Sequence, residues 1–354
     1  MDIKIIGSGS CIPDKVIANI DFENHHFFDE NGKPYTGQTN AIIKQLSTIT
    51  GIRERRYAND VQVTSDLATV AAKLAIQNAG IPPESLDYIL VAHNFGDIPH
   101  CKTQSDLIPS LASRVKNKLS IKNPDCVAFD IIAGCPGWIQ GVIQSTALLK
   151  AGMARRCLVI GAECLSRVSD PYDRDSMIYA DGAGAVILES GDEESGHGLL
   201  GYVNQSFTDA ESGYLFFGKG HNIQDGHETQ YLKMHGRKIY EFALDRVPTA
   251  IKTCLEEANI GIEQVTKLLI HQANEKMDEA ILRRLYKLYD ATPPEDVMPM
   301  TIHTCGNSSV ATVPTLYDLL VSGRLEGHDI QKGDIIVFAS IGAGMNINAL
   351  VYRF

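Results

Sequence analysis

The sequence predicts an α/β protein built from two similar halves. Short apolar runs rich in β-branched residues alternate with longer stretches in which apolar residues recur at helical spacing, a pattern typical of βαβ units. Residues 78–91 also align with residues 257–270, because each stretch contains a helix end, a short turn and a buried strand. In both places a turn, a helix and another strand follow. We therefore predict that one α/β unit occurs twice in the 354 residues.

The individual elements follow from apolar runs bounded by glycine and proline. Strands are expected at 3–10, 86–92, 126–132, 157–162, 181–189, 267–274, 334–340 and 346–354. Helices are expected at 40–48, 65–79, 106–119, 138–149 and 238–258, with one more after a turn at 301–309. Residues 190–230 are rich in glycine and charge, which predicts a loop crossing between the halves.

Composition is that of an ordinary globular protein and excludes several function classes. The chain is 44% hydrophobic and 21% charged, and its net charge of −11 disfavours nucleic acid or an anionic membrane as the main partner. The eight cysteines form no CxxC pair, and no HExxH motif occurs. We therefore expect neither metal nor disulfides, and a reducing cytoplasm. The start of the chain lacks a signal-peptide pattern, and no apolar run approaches the roughly 20 residues that span a bilayer.

The turn around Cys135 is the strongest candidate for chemistry. A buried strand is expected before it, and Pro136 suits the first position of the helix that follows. The positive end of a helix dipole lowers the pKa of a nearby thiol, so we expect a reactive thiolate at Cys135. A buried, inert cysteine is the common alternative. A pseudo-twofold axis would bring this turn and the Asn307 turn face to face, which predicts a site between the halves.

Several segments together resemble β-ketoacyl-acyl-carrier-protein synthase III of the thiolase superfamily, in the right order along essentially the whole chain. They are Thr50–Arg56, Asp130–Cys135, Asp170–Asp175, Asp181–Ala185, His271–Asn274, Gly306–Ser309 and Gly342–Gly344. The resemblance implies the thiolase fold: two duplicated βαβαβαββ halves in a five-layered αβαβα sandwich. Residues 1–195 would form the half that carries the nucleophile, and residues 196–354 the half that carries histidine and asparagine.

The resemblance also implies a two-step condensation. Cys135 would take an acyl group from a thioester, and the backbone N–H groups of Cys135 and Ala343 would form the oxyanion hole. His271 and Asn307 would donate hydrogen bonds to the thioester carbonyl of a malonyl-type second substrate as it loses CO2. The resulting carbanion would attack the acyl group and release a β-ketoacyl thioester.

Substrate and partner contacts are likewise implied by the resemblance. Arg174, Asn274, Arg53 and Gly344 would bind the CoA or phosphopantetheine arm, and Lys276 would contact a carrier protein. By composition alone, the arginines at 53–56 suit a solvated loop equally well. CoA or phosphopantetheine thioesters are substrates, so no cofactor is expected. The expected partners are acyl-CoA or acyl-carrier protein, malonyl-acyl-carrier protein and a second copy of the chain, towards which the loop at 93–108 would reach.

Some positions depart from the family pattern. Gln45 stands where a primer-binding aromatic is common, Ile49 replaces a CoA-binding arginine, and Glu241 occupies a usually basic position. These changes favour a longer acyl group, or one delivered by a carrier protein, over acetyl-CoA. Two alternatives stay open: a ketosynthase that condenses two longer acyl thioesters in secondary metabolism, of the cyclohexanedione or dialkylresorcinol type, and a non-catalytic ketosynthase partner. A papain-like hydrolase shares the order Cys, His, Asn but does not fit the duplication.

Overall fold

Strands and helices alternate along residues 2–191, 196–222 and 228–354, which are the residues that this computed structural model describes. The strands are β1 (Ile3–Cys11), β2 (Lys15–Ala18), β3 (Glu54–Tyr57), β4 (Tyr88–Ala92), β5 (Val127–Ile131), β6 (Arg156–Cys164), β7 (Asp181–Ser190), β8 (Gly198–Ser206), β9 (Leu215–Lys219), β10 (Gln230–Met234), β11 (Val265–Ile270), β12 (Ile335–Gly342) and β13 (Asn346–Arg353). The helices are α1 (Thr39–Thr50), α2 (Thr64–Ala79), α3 (Leu111–Lys118), α4 (Gly137–Lys150), α5 (Gly236–Glu257), α6 (Glu275–Lys287), α7 (Ile302–Cys305) and α8 (Thr312–Val321).

Two sheets and three helical layers form the predicted five-layered sandwich, which is confirmed. The first sheet has the order β1-β7-β6-β4-β5, and the second has the order β11-β12-β13-β8. Helices α4 and α8 lie between the sheets, where one apolar core joins Trp138 of α4 and Leu316 of α8 to Phe338 of β12. Helices α2 and α3 cover the outside of the first sheet, and α5 and α6 cover the outside of the second. None of the described helices is long and apolar enough to cross a membrane.

The prediction of a loop at 190–230 was wrong, because the described part of that range contains β8 and β9. β8 pairs with β13 at the edge of the second sheet, and β9 forms a hairpin with β10. Gly201 of β8 packs so closely on the end of α5 that an added Cβ would lie 3.1 Å from the side chain of Ala258. The glycines that indicated a loop therefore permit close packing of a strand.

The second half repeats the first with one strand replaced. β4 pairs with β5, whereas the matching side of β11 faces an irregular segment of turns and bends, and Leu268 N–H of β11 donates to the Val297 carbonyl of that segment at 2.7 Å. Pro299 lies in that segment, and proline cannot donate to a strand ladder. Similarly, the helix predicted from residue 106 begins at Leu111, because Pro109 disfavours helix before it and Ser110 caps the helix by accepting from Ser113 N–H. The boundary predicted at residue 195 lies outside the described residues and stays a prediction.

Candidate active site

The structure brings the three predicted catalytic residues and the predicted oxyanion-hole residue Ala343 together around one cavity. Cys135, His271, Asn307 and Ala343 all line a space of about 270 Å³ at the junction of the two halves. Each residue stands at the end of a regular element: Cys135 between β5 and α4, His271 directly after β11, Asn307 after α7, and Ala343 directly after β12. Elements from both copies of the α/β unit therefore supply the groups of this site.

Glycines allow two backbone segments to touch beside the thiol. Gly134 has a φ of 68°, and a Cβ added there would lie 2.6 Å from Ala343 N. A Cβ on Gly342 would lie 2.4 Å from Cys135 N. Ala343 N is thus held close against the Cys135 turn, as the predicted oxyanion hole of Cys135 and Ala343 requires. Pro136 is the N-cap of α4, one position before the predicted one.

Burial controls the ionisation of the thiol. Cys135 keeps some exposure towards the cavity, but its dense surroundings raise the pKa of the thiol to about 11. The Ser309 hydroxyl donates a hydrogen bond to Sγ at 3.3 Å and opposes this increase, whereas the charge of Glu163 adds to it. The prediction of a lowered thiol pKa was wrong, because the helix dipole was considered without the burial. Cys135 is therefore a thiol at neutral pH.

His271 and Asn307 are both neutral groups with N–H donors. Burial lowers the pKa of His271 to about 4, so its imidazole is uncharged at neutral pH. Asn307 Oδ1 accepts a hydrogen bond from Ser309 N–H at 2.8 Å, which leaves the N–H groups of its amide available towards the cavity that the side chain lines. The Asn307 backbone is held as well, since it accepts from Ala180 N–H at 2.8 Å. Two neutral donors of this kind suit an oxygen on which negative charge develops.

The rest of the cavity wall is largely apolar, and the β9–β10 hairpin forms part of it. Lining residues from the hairpin and the neighbouring segments include Phe95, Leu165, Leu215, Phe216, Phe217, Leu232 and Met234. The ring centroids of Phe95 and Phe217 lie 5.1 Å apart. Lys233 anchors the hairpin, because its ammonium is 2.5 Å from Asp170 and 3.0 Å from Asp173. His221 lies near the same two carboxylates, and Asp170, Asp173 and His221 together resemble a set of metal ligands. The ammonium of Lys233 already compensates the negative charge of the two carboxylates.

Two of the predicted arm-binding residues line a wider cleft of about 1010 Å³. This cleft and the thiol cavity share lining residues, among them Tyr179, Met277 and Asn307, so the cleft leads to the thiol. Arg174 lies in the cleft with its guanidinium 5.3 Å from the centre of the Tyr35 ring. Asn274 also lines the cleft, and its side chain caps α6 by accepting from Met277 N–H at 3.1 Å.

The other predicted binding residues lie outside the described linings of both spaces. Arg53 and Lys276 are exposed, and Gly344 lies in the turn between β12 and β13. Arg55 is buried and donates to the carbonyls of Met177 and Ile17, so its role is structural. The roles predicted for Arg53, Gly344 and Lys276 therefore lack support from either lining.

Sequence reasoning missed several polar residues of this site. Ser309 lay inside the Gly306–Ser309 motif without a role, although it contacts Sγ directly. Asn94 and Glu163 belong to the ends of β4 and β6 and carried no motif of their own. Arg237 and Lys238, at the start of α5, line the cleft and were also missed. For Asn94 and Glu163, the available signal was a charged or amide residue at the carboxyl end of a buried strand.

The chain is similar over its whole length to proteins of one family. The family description "3-Oxoacyl-[acyl-carrier-protein (ACP)] synthase III" matches residues 129–206, and its C-terminal counterpart matches residues 255–354. The β-ketoacyl-[acyl-carrier-protein] synthase III of Caldanaerobacter subterraneus is 34% identical, over 99% of this chain and 97% of that protein.

Solved structures show the same relationship. The crystal structure of 3-oxoacyl-[acyl-carrier-protein] synthase III from Aquifex aeolicus has a TM-score of 0.80 and 28% identity, with 99% of this chain and 100% of that chain covered. The priming β-ketosynthase from the R1128 polyketide biosynthetic pathway has a TM-score of 0.81 and covers 100% of this chain and 96% of its own. That protein is 21% identical, so it supports the fold alone.

Proposed function

This chain belongs to the 3-oxoacyl-[acyl-carrier-protein] synthase III family of condensing acyltransferases, and we propose that Cys135, His271 and Asn307 carry out its reaction. The observation that supports these roles is the shared cavity, which combines one thiol with two neutral side-chain donors. The backbone N–H groups of Cys135 and Ala343 supply the oxyanion hole.

In the first step, Cys135 takes the acyl group from a thioester. Sγ forms a bond to the carbonyl carbon, the bond from that carbon to the donor sulfur breaks, and the proton of Cys135 leaves on the released thiol. The exchange therefore produces no net charge, which suits a thiol that is protonated at rest. Negative charge passes through the carbonyl oxygen, where two backbone N–H groups stabilise it.

In the second step, a malonyl thioester loses CO2 and becomes a nucleophile. His271 and Asn307 donate hydrogen bonds to its thioester carbonyl, so the enolate formed on loss of CO2 is stabilised. The carbanion attacks the acyl carbon, the bond to Cys135 Sγ breaks, and a β-ketoacyl thioester leaves. The sulfur then takes up one proton and returns to the thiol form. A charged histidine is not required, in agreement with the low pKa of His271.

The apolar wall of the cavity favours an acyl chain longer than acetyl. Aromatic and aliphatic side chains, among them Phe95 and Met234, surround the space beside Cys135. Each methylene of an acyl chain that is buried there would add about 0.8 kcal/mol to the binding free energy. Gln45 is exposed, and it has no aromatic ring to hold a short primer. Ile49 lines the cleft, and its apolar side chain cannot replace the CoA-binding arginine.

A carrier protein is proposed to deliver its acyl group through the cleft. Arg174, Lys219, Arg237 and Lys238 line it together with the acidic Asp29, Glu30, Asp173 and Asp175, and the phosphopantetheine arm of a carrier would pass beside the basic residues to Cys135. Glu241 pairs with Arg237 at 2.9 Å, so the acidic replacement on α5 is partly neutralised. Lys276 stays a proposed contact, on the exposed first turn of α6.

The acyl-enzyme is tested by intact-protein mass spectrometry. Wild type and Cys135→Ala would each be incubated with acetyl-, butyryl-, octanoyl- and dodecanoyl-thioesters of CoA and of carrier protein. We expect an acyl adduct on wild type, better loading from chains longer than acetyl, and no adduct on Cys135→Ala, because the alanine variant has no nucleophile. Cys305→Ala is the matched control and should load normally.

The outcomes separate the alternatives. An adduct that survives in Cys135→Ala would contradict the proposed nucleophile. Acetyl-CoA as the best donor would contradict the longer acyl chain. A loaded enzyme that condenses only with a second long acyl thioester, and never with malonyl-carrier protein, would support the cyclohexanedione or dialkylresorcinol type of activity. No adduct from any donor would support a non-catalytic partner.

A homodimer is proposed from the free edge of the first sheet. β5 ends that sheet, and exposed apolar side chains lie beside it: Val127, Ile132 and Ile108 are 45%, 63% and 88% exposed. Pairing of β5 with its copy would cover these residues. The loop at 93–108 places Phe95 in the cavity of its own chain, while Ile108 at its far end is free to reach a second copy.

Ala128→Pro is expected to convert the dimer to a monomer. Val127 N–H donates to the Asp87 carbonyl, so the next N–H along the strand, that of Ala128, points to the free edge. Proline removes that donor without breaking the β4–β5 ladder. Ala128→Val keeps the donor and should stay dimeric in size-exclusion chromatography with light scattering. A monomeric wild type, or a dimeric Ala128→Pro variant, would contradict this interface.

A further inference from the structure

A continuous row of hydrogen bonds leads from a buried carboxylate to the Cys135 sulfur. Glu163 Oε2 accepts from Asn94 N–H at 2.9 Å and from Asn94 Nδ2 at 2.6 Å. Asn94 Nδ2 also donates to Ser309 Oγ at 3.2 Å. Ser309 Oγ in turn lies 3.3 Å from Cys135 Sγ. Glu163 is 1% exposed and Ser309 is 3% exposed, whereas Asn94 and Cys135 are half-buried and line the cavity.

The chemistry of the groups gives this row one direction. Glu163 Oε2 accepts from the backbone N–H of Asn94, so the same oxygen holds the nitrogen end of the Asn94 side-chain amide towards itself. Burial raises the pKa of Glu163 to about 7, and Oε2 can accept these bonds whether or not the other oxygen carries a proton. The amide nitrogen donates and cannot accept, so Ser309 Oγ must be the acceptor of its bond with Asn94. A hydroxyl has only one proton to donate, and that proton is then directed at Sγ. The serine hydroxyl is therefore a donor to the sulfur.

We propose that Ser309 is a further catalytic residue, whose hydroxyl stabilises negative charge on Cys135 Sγ, and that Asn94 and Glu163 position this hydroxyl. The proposal rests on the assignment of Cys135 as the nucleophile. Sulfur carries negative charge twice in the reaction, first as the thiol gives up its proton to become the attacking nucleophile and again as it leaves the β-ketoacyl product. One hydroxyl at a fixed position can therefore assist both steps.

The backbone of Ser309 supports the same conclusion. Its φ is 54°, in the left-handed region that serine seldom adopts, and such conformations persist where the surrounding structure holds them. Its N–H donates to Asn307 Oδ1 at 2.8 Å, while its hydroxyl reaches Sγ. A single strained residue thus orients one catalytic amide and contacts the nucleophile.

The rate of Cys135 alkylation by iodoacetamide at pH 8 tests this proposal, measured by mass spectrometry on the full-length protein. Loss of a hydrogen bond to a charged group raises the pKa of a thiol by about one unit. The tenfold loss of thiolate is partly offset, because a more basic thiolate is a better nucleophile. We expect alkylation of Ser309→Ala to be about threefold slower than that of wild type.

Ser308→Ala is the matched control. The Ser308 hydroxyl contacts Thr312 Oγ1 at 3.2 Å, and no described contact links it to the sulfur, so its alkylation rate should equal that of wild type. Asn94→Asp tests the direction of the row, because a carboxylate at 94 would accept from Ser309 and turn the hydroxyl away from Sγ. We expect a loss at least as large as that in Ser309→Ala.

The sign of the change separates a donor from a space-filling residue. If Ser309 only filled space, its truncation would open the site and alkylation would be equal or faster, which would overturn the proposal. Ser309→Gly, which suits a positive φ, replaces Ser309→Ala if the alanine variant fails to fold, and the same rates apply. Alkylation uses no acyl donor, so a failed proposal here is distinguishable from a failed acyl-enzyme, which the Cys135→Ala adduct reports.

Discussion

Asn307→Asp should reduce condensation with malonyl-carrier protein by about 10²- to 10³-fold while acyl transfer to Cys135 stays near the wild-type rate. Aspartate has the same shape, and its Oδ1 can still accept from Ser309 N–H, so the local fold is retained. What changes is the other end of the side chain, where two N–H donors become an acceptor. An enolate oxygen facing that acceptor would be repelled instead of stabilised.

The two half-reactions are measured separately for this variant. Acyl-enzyme formation is followed by mass spectrometry after rapid mixing, and condensation by release of CO2 from pre-acylated enzyme. Ser308→Ala, one residue away, should leave both rates unchanged. Equal losses in the two steps would show that Asn307 acts on the first substrate as well, and unchanged condensation would remove it from the mechanism.

The elements around Cys135 could be predicted because their signals are local. The strand before Gly134 and the helix after Pro136 are each contained in a short window, and the motifs around His271 and Asn307 stand at element ends. Predicting that these turns meet required only the internal duplication, since similar units related by a pseudo-twofold axis place equivalent turns together. The five-layered sandwich followed from the same pattern through the family resemblance.

The polar surroundings of the thiol could not be predicted in this way. Asn94 lies 69 residues from Glu163 and 215 residues from Ser309, so no window of sequence contains the row that joins them. Burial was also missed: a helix N-terminus favours the thiolate, but it is the packed surroundings that raise the pKa of Cys135. β8 was missed because Gly201 packs on the end of α5 and Gly198 packs on Ile3 of β1, contacts that exist only in the folded chain.

Gly134→Ala should slow both half-reactions by at least about 100-fold, in contrast to Asn307→Asp. A Cβ at 134 would lie 2.6 Å from Ala343 N and 2.9 Å from the Ala343 carbonyl oxygen, both backbone atoms. The β12–β13 turn must therefore move away, and it carries one of the two donors that we propose for the oxyanion hole. That donor serves the acyl carbonyl in acylation and again in condensation, so its displacement affects both steps.

Gly152→Ala is the control that separates displacement from backbone strain. Gly134 and Gly152 have φ values of 68° and 70°, so alanine suffers about the same conformational cost of 1–2 kcal/mol at either position. A Cβ at 152 would meet nothing within 4 Å. Both variants therefore carry the same strain, and Gly134→Ala adds the displacement of the β12–β13 turn, so we expect Gly134→Ala to lose more thermal stability and to be the one that loses activity. If both variants kept the activity of the wild type, the Ala343 N–H would have no part in the oxyanion hole, because its displacement would have had no effect on the reaction.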